Sequence, residues 1–105
     1  MRLSPQQLTT LNALGYAYIG AGRYEEAITI FKKILVRSPD HWVAHGGLAI
    51  IYSELGREEE AKAEGAEILR ITPNFSVEVW KRMAPYKDPA VTERFAAAMR
   101  KAGLK

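Results

Sequence analysis

Leu14-Gly15-Tyr16-Ala17-Tyr18-Ile19-Gly20-Ala21-Gly22-Arg23-Tyr24-Glu25-Glu26-Ala27 comes back 34 residues later as Leu48-Ala49-Ile50-Ile51-Tyr52-Ser53-Glu54-Leu55-Gly56-Arg57-Glu58-Glu59-Glu60-Ala61. Leu, Tyr, Gly-Arg and Glu-Glu-Ala keep their places. The same offset carries Ile34 onto Ile68 and Pro39 onto Pro73. One offset held across positions of such unlike chemistry marks a repeated supersecondary unit.

Each unit reads as two helices. Ser4 is an N-cap, Pro5 takes the first helical position, and Gln7 completes a capping box. Leu8, Leu11, Leu14, Tyr18 and Ile19 then recur at helical spacing until Gly20-Ala21-Gly22. A second helix spans about residues 24–36, with Ala27, Ile28, Phe31, Ile34 and Leu35 on one face. Asp40 is expected to cap a third helix reaching about Glu54, and a fourth covers about residues 58–70. A helix over 76–83, a linker over 84–89 with Pro85 and Pro89, and a last helix capped by Asp88 and ended by Gly103 form the tail. No alternating strand pattern is present.

These residues resemble the tetratricopeptide repeat, through Leu14-Gly15, Tyr18, Ala27, Phe31, Ile34 and Pro39, then Leu48-Ala49, Tyr52, Ala61, Ile68 and Pro73. The family's early Trp is Leu11 and His45 here, and the bulky position of Phe31 is Gly65 in the second unit. The resemblance implies an all-α fold, a right-handed helical solenoid of two helix-turn-helix repeats with a divergent C-terminal capping helix pair. The expected boundaries are 8–41, 42–75 and 76–105 of one domain, 1–105. Gly15, Ala49, Ala27 and Ala61 suit close helix crossings, and Tyr18 and Tyr52 fill the angle between helices. A lone unit cannot bury its stripe, so the tail completes the stack. Gly65 leaves room for a large side chain, with Trp80 the first candidate and Phe75 or Met83 next. The tail, from Pro73-Asn74-Phe75 to Arg100-Lys101-Ala102-Gly103-Leu104, is also similar to the C-terminal repeat region of bacterial multidomain class III adenylate or guanylate cyclase-like proteins. That likeness implies that the chain is the end of a larger protein. It implies no cyclase activity, since no catalytic segment is present.

Bulk composition narrows the classes. Hydrophobic residues are 48% and charged residues 26% of 105, an ordinary globular balance. The absence of cysteine excludes disulfides and thiolate metal sites and fits a cytoplasmic protein. No apolar run approaches the roughly 20 residues of a membrane span, and the first residues lack a signal-peptide core. Residues 1–75 carry eight Lys/Arg against nine acids, and residues 76–105 carry seven against three. The basic tail suits a solvated face or an acidic partner. Nucleic acid is the less favoured partner, because a denser patch with stacking aromatics would be needed.

Catalytic signals are weak. His41 and His45 share a helix face, which is half a zinc site, but no third histidine exists. They read instead as a residue of the N-terminal turn and a packing residue. Glu58-Glu59-Glu60 suits a helix N-terminus. Gly20-Ala21-Gly22-Arg23 is a turn, not a phosphate loop. Gly46-Gly47 is costly inside a helix, so either a neighbouring backbone packs closely there, the favoured reading, or a ligand approaches the helix surface. No enzyme activity, cofactor or metal is expected.

In the family the first helix of each unit lines the concave groove. The resemblance carries this role to Thr9, Asn12, Tyr16 and Ile19, and to Val43, Gly46, Ile50 and Ser53, with Gly47 and Glu54 at the margins. The positive residues of the family's carboxylate clamp are missing from these positions, so an apolar peptide or helix is the expected ligand. Exposed ends of a short solenoid make a homodimer the other expected assembly.

Overall fold

The computed structural model describes residues 3–84 and 86–105. Pro85, assigned to the linker, lies outside the described residues, as do Met1 and Arg2. Six helices follow one another: α1 Pro5–Gly20, α2 Tyr24–Arg37, α3 Trp42–Glu54, α4 Glu58–Ile71, α5 Val77–Met83 and α6 Pro89–Lys101. They form an all-α stack of helix-turn-helix units, with no strand among the described residues. No described helix is long and apolar enough to cross a membrane.

Local chemistry explains most helix ends. The Ser4 N–H donates to Gln7 Oε1 at 2.8 Å and the Gln7 N–H to Ser4 Oγ at 3.2 Å, the reciprocal capping box. Ser76 and Asp88 cap α5 and α6 through side-chain oxygens. Asp40 does not cap α3. His41 holds the N-cap position without a capping bond from its side chain, and Asp40 instead accepts from Arg70 at 2.7 Å.

The repeated Tyr and Gly-Arg have a common task. Gly22 and Gly56 turn the chain at φ +75° and +77°, a region costly for any residue with a Cβ. The next residue then donates its N–H back to the tyrosine carbonyl, Arg23 to Tyr18 at 2.9 Å and Arg57 to Tyr52 at 2.8 Å. Each guanidinium covers the ring of that tyrosine, at 5.0 and 4.8 Å from the centroid.

The core centres on α3, which is buried without interruption from Ala44 to Ser53. Such all-round burial marks a helix enclosed by neighbours rather than an amphipathic surface helix. Here α1, α2, α4 and α6 surround it. The fully buried Phe31 ring enters between α1 and α3. A Cβ at Gly15 would stand 2.6 Å from that ring, and one at Gly47 would fall inside its van der Waals surface. Two glycines on two helices thus make one slot for one phenyl ring, and the costly Gly47 has its packing partner. Gly46 faces the Tyr16 hydroxyl. Ala27, Ala49, Ala61, Ile68 and Leu48 are buried as well, while Pro39 and Pro73 end their units in exposed turns.

Two packing expectations need correction. Leu14 is 43% exposed whereas its repeat equivalent Leu48 is 2% exposed. The spacing is the same, but α3 is enclosed by α1, α2, α4 and α6, whereas α1 packs chiefly against α2 and α3. Gly65 is buried, yet no aromatic side chain fills its space. A Cβ there would land on the backbone carbonyl oxygen of Ala102, just past α6. Trp80 lies elsewhere, Met83 is exposed, and Phe75 packs edge-on against Trp42 at 5.7 Å. The vacancy left by a missing side chain admits a whole backbone, which approaches closer than any ring.

The tail closes on itself and on the repeats. Phe95, Ala96, Ala98 and Met99 of α6 are buried, as are Ala102 and Leu104 beyond it. Gly103, at φ +92°, reverses the chain so that the Lys105 carbonyl accepts the Val77 N–H at 2.8 Å.

Candidate protein-binding cleft

The groove positions are brought together, but part of the groove is already filled. Helix α6 lies over the side of α1 and α3 on which the groove was expected. Ser53 Oγ donates to the Ala98 carbonyl at 2.8 Å. Arg94 holds Glu54 with two bonds of 2.6 Å. The same guanidinium donates to the Ile19 carbonyl at 3.3 Å and to the Tyr24 hydroxyl at 3.2 Å, and Tyr24 donates to Glu54. This mostly shielded, bidentate pair ties α6 to the ends of α1, α2 and α3. Ile19, Ile50 and Ser53 are therefore covered, and cannot line an open groove as expected. Gly46 and Gly47 are spent on packing. Thr9 is exposed and donates to the Pro5 carbonyl within its own helix.

What remains open is a cavity of ≈ 550 Å³. Asn12, Tyr16 and Val43 of the expected groove border it, with Ala13, Ala17 and Gly20. The opposite wall comes from the tail: Trp80, Tyr86, Val91 and Phe95, with Trp42 at the start of α3. Its size and apolar lining are those of ligand pockets in general. The sequence reading missed Trp42, Tyr86, Val91 and Phe95, since nothing local tells that the tail folds back over the inner face. Composition gave no signal either: residues 76–105 carry three aromatic side chains, Trp80, Tyr86 and Phe95, which is no denser than the 10% of the whole chain.

Polar groups at the cavity are few and arranged. The Tyr16 hydroxyl donates to the Val43 carbonyl at 2.9 Å, while its ring meets Phe31 and Phe95 at 5.3 and 6.0 Å. Burial pushes its phenol far above the ordinary tyrosine range, and the nearby Tyr86 adds to this. Tyr86 is pushed up by burial too. His41 is held below the ordinary histidine range by burial and by His45. Its Nε2 accepts from Asn12 Nδ2 at 2.7 Å, as a neutral imidazole can. Asn12 Oδ1 is buried without a partner among the described residues.

His45 is buried in packing as read from the sequence, and it also bonds. Nδ1 lies 2.6 Å from Glu64 Oε1 and Nε2 lies 2.8 Å from the Pro39 carbonyl. The two histidines thus face different partners. Among the described residues no three His, Asp or Glu side chains converge on a point where a metal could sit.

The tyrosines supply a test of this geometry. A phenol with a raised folded-state pKa stays neutral in the fold, so its stabilisation is present below pH ~10, the unfolded value, and is lost above it. Following phenolate absorbance and helical ellipticity together in alkali, Tyr16 is expected to ionise only as the helices melt. If all five tyrosines titrated with ellipticity unchanged, the cavity wall would not be closed as described.

Comparison with known proteins agrees with the helical pairs. The chain is 31% identical over 71 residues to Superkiller protein 3 of Schizosaccharomyces pombe (strain 972 / ATCC 24843), a match covering 68% of this chain and 5% of that protein. The chain thus spans only a small part of the curated relative it matches. No solved structure matches. The tetratricopeptide repeat profile matches residues 18–84, from the first of the two repeated tyrosines through the start of the tail. With that match over more than half its length, and with two 34-residue helix pairs built on one set of contacts, the chain belongs to the tetratricopeptide repeat family.

Proposed function

We propose that this chain is a non-enzymatic protein-interaction module that takes a peptide or helix of a partner in the cleft between its inner face and its tail. The observation that carries the reading is the open ≈ 550 Å³ cavity walled by Tyr16, Val43, Trp42, Trp80, Tyr86 and Phe95, with no charged residue in its lining. An uncharged aromatic hollow rewards burial of apolar side chains, and burial keeps its Tyr16 and Tyr86 phenols in the neutral form. The likeness of the tail to the ends of bacterial multidomain proteins supports a place as one module of a longer cytoplasmic regulatory protein. Selection of a random peptide display library on the immobilised chain tests the reading. Binders should be recovered, and each should lose affinity by roughly tenfold or more when Trp80 is replaced by alanine, the cost of a buried aromatic contact.

A second reading, self-association, has its own observation. Thr10 and Leu14 of α1 are exposed, while their equivalents Ala44 and Leu48 are buried. The face of α1 that carries Thr10 and Leu14 therefore matches one that is covered in α3, and a second copy can cover it. Light scattering over a concentration series should then give a mass above the monomer, restored to monomer by Leu14→Glu. A monomer mass at all concentrations would remove this reading and leave the cleft.

Nucleic acid is the weaker partner. Of the tail cations, Lys81 is paired with Glu93, Arg94 with Glu54 and Arg100 with Glu78. That leaves too thin a positive surface for phosphate tracking.

A further inference from the structure

We infer that the two hollows on either side of the Trp42–Trp80 wall form one docking surface for an acidic segment that carries large apolar side chains. The inference rests on the protein-binding reading and names the partner's chemistry. The ≈ 550 Å³ cavity lies on one side of these two tryptophans and a smaller hollow of ≈ 210 Å³ on the other. Phe75, Val79 and Met83 line the smaller one. Val79 is 45% and Met83 77% exposed, one helical turn apart on the short α5. Neighbouring large apolar side chains left in water mark a contact surface. Methionine beside aromatic rings also suits a surface that adapts to its ligand.

Charge decides which apolar segment fits. Neither lining contains a charged residue. The acids of the tail are engaged: Glu78 with Arg100, Glu93 with Lys81, and Asp88 as the cap of α6. Arg82, just before Met83, and Lys87, just after Tyr86, are exposed and have no ion-pair partner among the described residues. The chain positions next to the lining therefore offer unbalanced positive charge beside apolar hollows. A partner segment with carboxylates around its apolar anchors gains at both places, and one with lysines is repelled. Arg82 and Lys87 belong to the tail and not to the repeat units, so the positive charge comes from outside the concave groove positions, which lack cations here.

The molecule carries its own reporter, since Trp42 and Trp80 are its only two tryptophans and both stand in this wall. Tryptophan emission of the full chain would be followed during titration with three synthetic peptides. One sets phenylalanine and leucine among glutamates, one sets the same anchors among lysines, and one sets serines among glutamates. Only the first is expected to shift the emission saturably, and added salt should weaken it. An Arg82→Glu, Lys87→Glu double variant changes two exposed side chains and should keep the helical spectrum while losing affinity by about tenfold. Equal binding of the lysine or serine peptide, or no shift with any of them, overturns the inference. An equal shift with single-stranded DNA overturns it in favour of a stacking site for bases. Display selection that returns only neutral or basic binders removes this inference and leaves the protein-binding reading intact. Selection that returns no binder removes both.

Discussion

A chain ending at Asp88 is expected to lose its cooperative thermal transition. The missing segment buries Phe95, Met99 and Leu104 among other residues. At about 1.5–3 kcal/mol for each large apolar side chain, these three alone contribute roughly 5–9 kcal/mol. A domain of this size has a net stability of only about 5–15 kcal/mol. Loss of Arg94 would also leave the shielded Glu54 carboxylate without its cation. Ellipticity followed against temperature, full chain beside truncated chain, is the measurement. A truncated chain melting cooperatively within a few degrees of the parent would mean that α6 is a strap laid over a self-sufficient pair of repeats. Gly65→Ala probes the same contact without a deletion. Alanine is the better helix former by about 1 kcal/mol, yet its Cβ would strike the Ala102 carbonyl oxygen, which is backbone and cannot rotate away. The net expectation is a loss of about 1–3 kcal/mol.

Phe31→Ala should be the most damaging single truncation, at about 3–5 kcal/mol. Three features place it toward the upper end. The ring is fully buried, it meets Tyr16 edge-on at 5.3 Å, and both of its flanking positions are glycines. Gly15 and Gly47 have no side chains with which to fill the void, and cavities that cannot collapse are the expensive ones. With a shift of about 4–8 °C per kcal/mol for a domain near this size, the midpoint should fall by well over ten degrees. Urea unfolding with an unchanged slope would show that the loss is in the native state. A cost near about 1 kcal/mol would mean that α1 and α3 close over the gap, and that the two glycines are not required for the ring.

The groove illustrates how far motif reasoning reaches. Tyr16, Val43 and Asn12 border the open cleft, while Ile19, Ile50 and Ser53 lie buried. All six were placed on the inner face by the same repeat register, and Arg94, Phe95 and Ala98 decided between them. The register says which way a side chain points. It is silent about whether another part of the chain stands in front of it.

The sequence by itself determined what local chemistry controls. The 34-residue offset, the Ser4–Gln7 capping box, the helix end at Gly20-Ala21-Gly22, and the α2 face of Ala27, Phe31 and Ile34 were all legible. Each depends on residues within a turn or two, where backbone geometry leaves few choices. Only the tertiary structure decided that Ala102 backbone occupies the space of Gly65, that Leu14 is exposed where Leu48 is buried, and that Trp80 joins Trp42 in a cleft. Burial of apolar surface is non-directional, so an apolar stripe specifies that it will be covered and not by what. Which stripe meets which is settled by steric fit across the whole stack. There a missing Cβ, or a helix packed on fewer sides, outweighs any propensity that can be read along the chain.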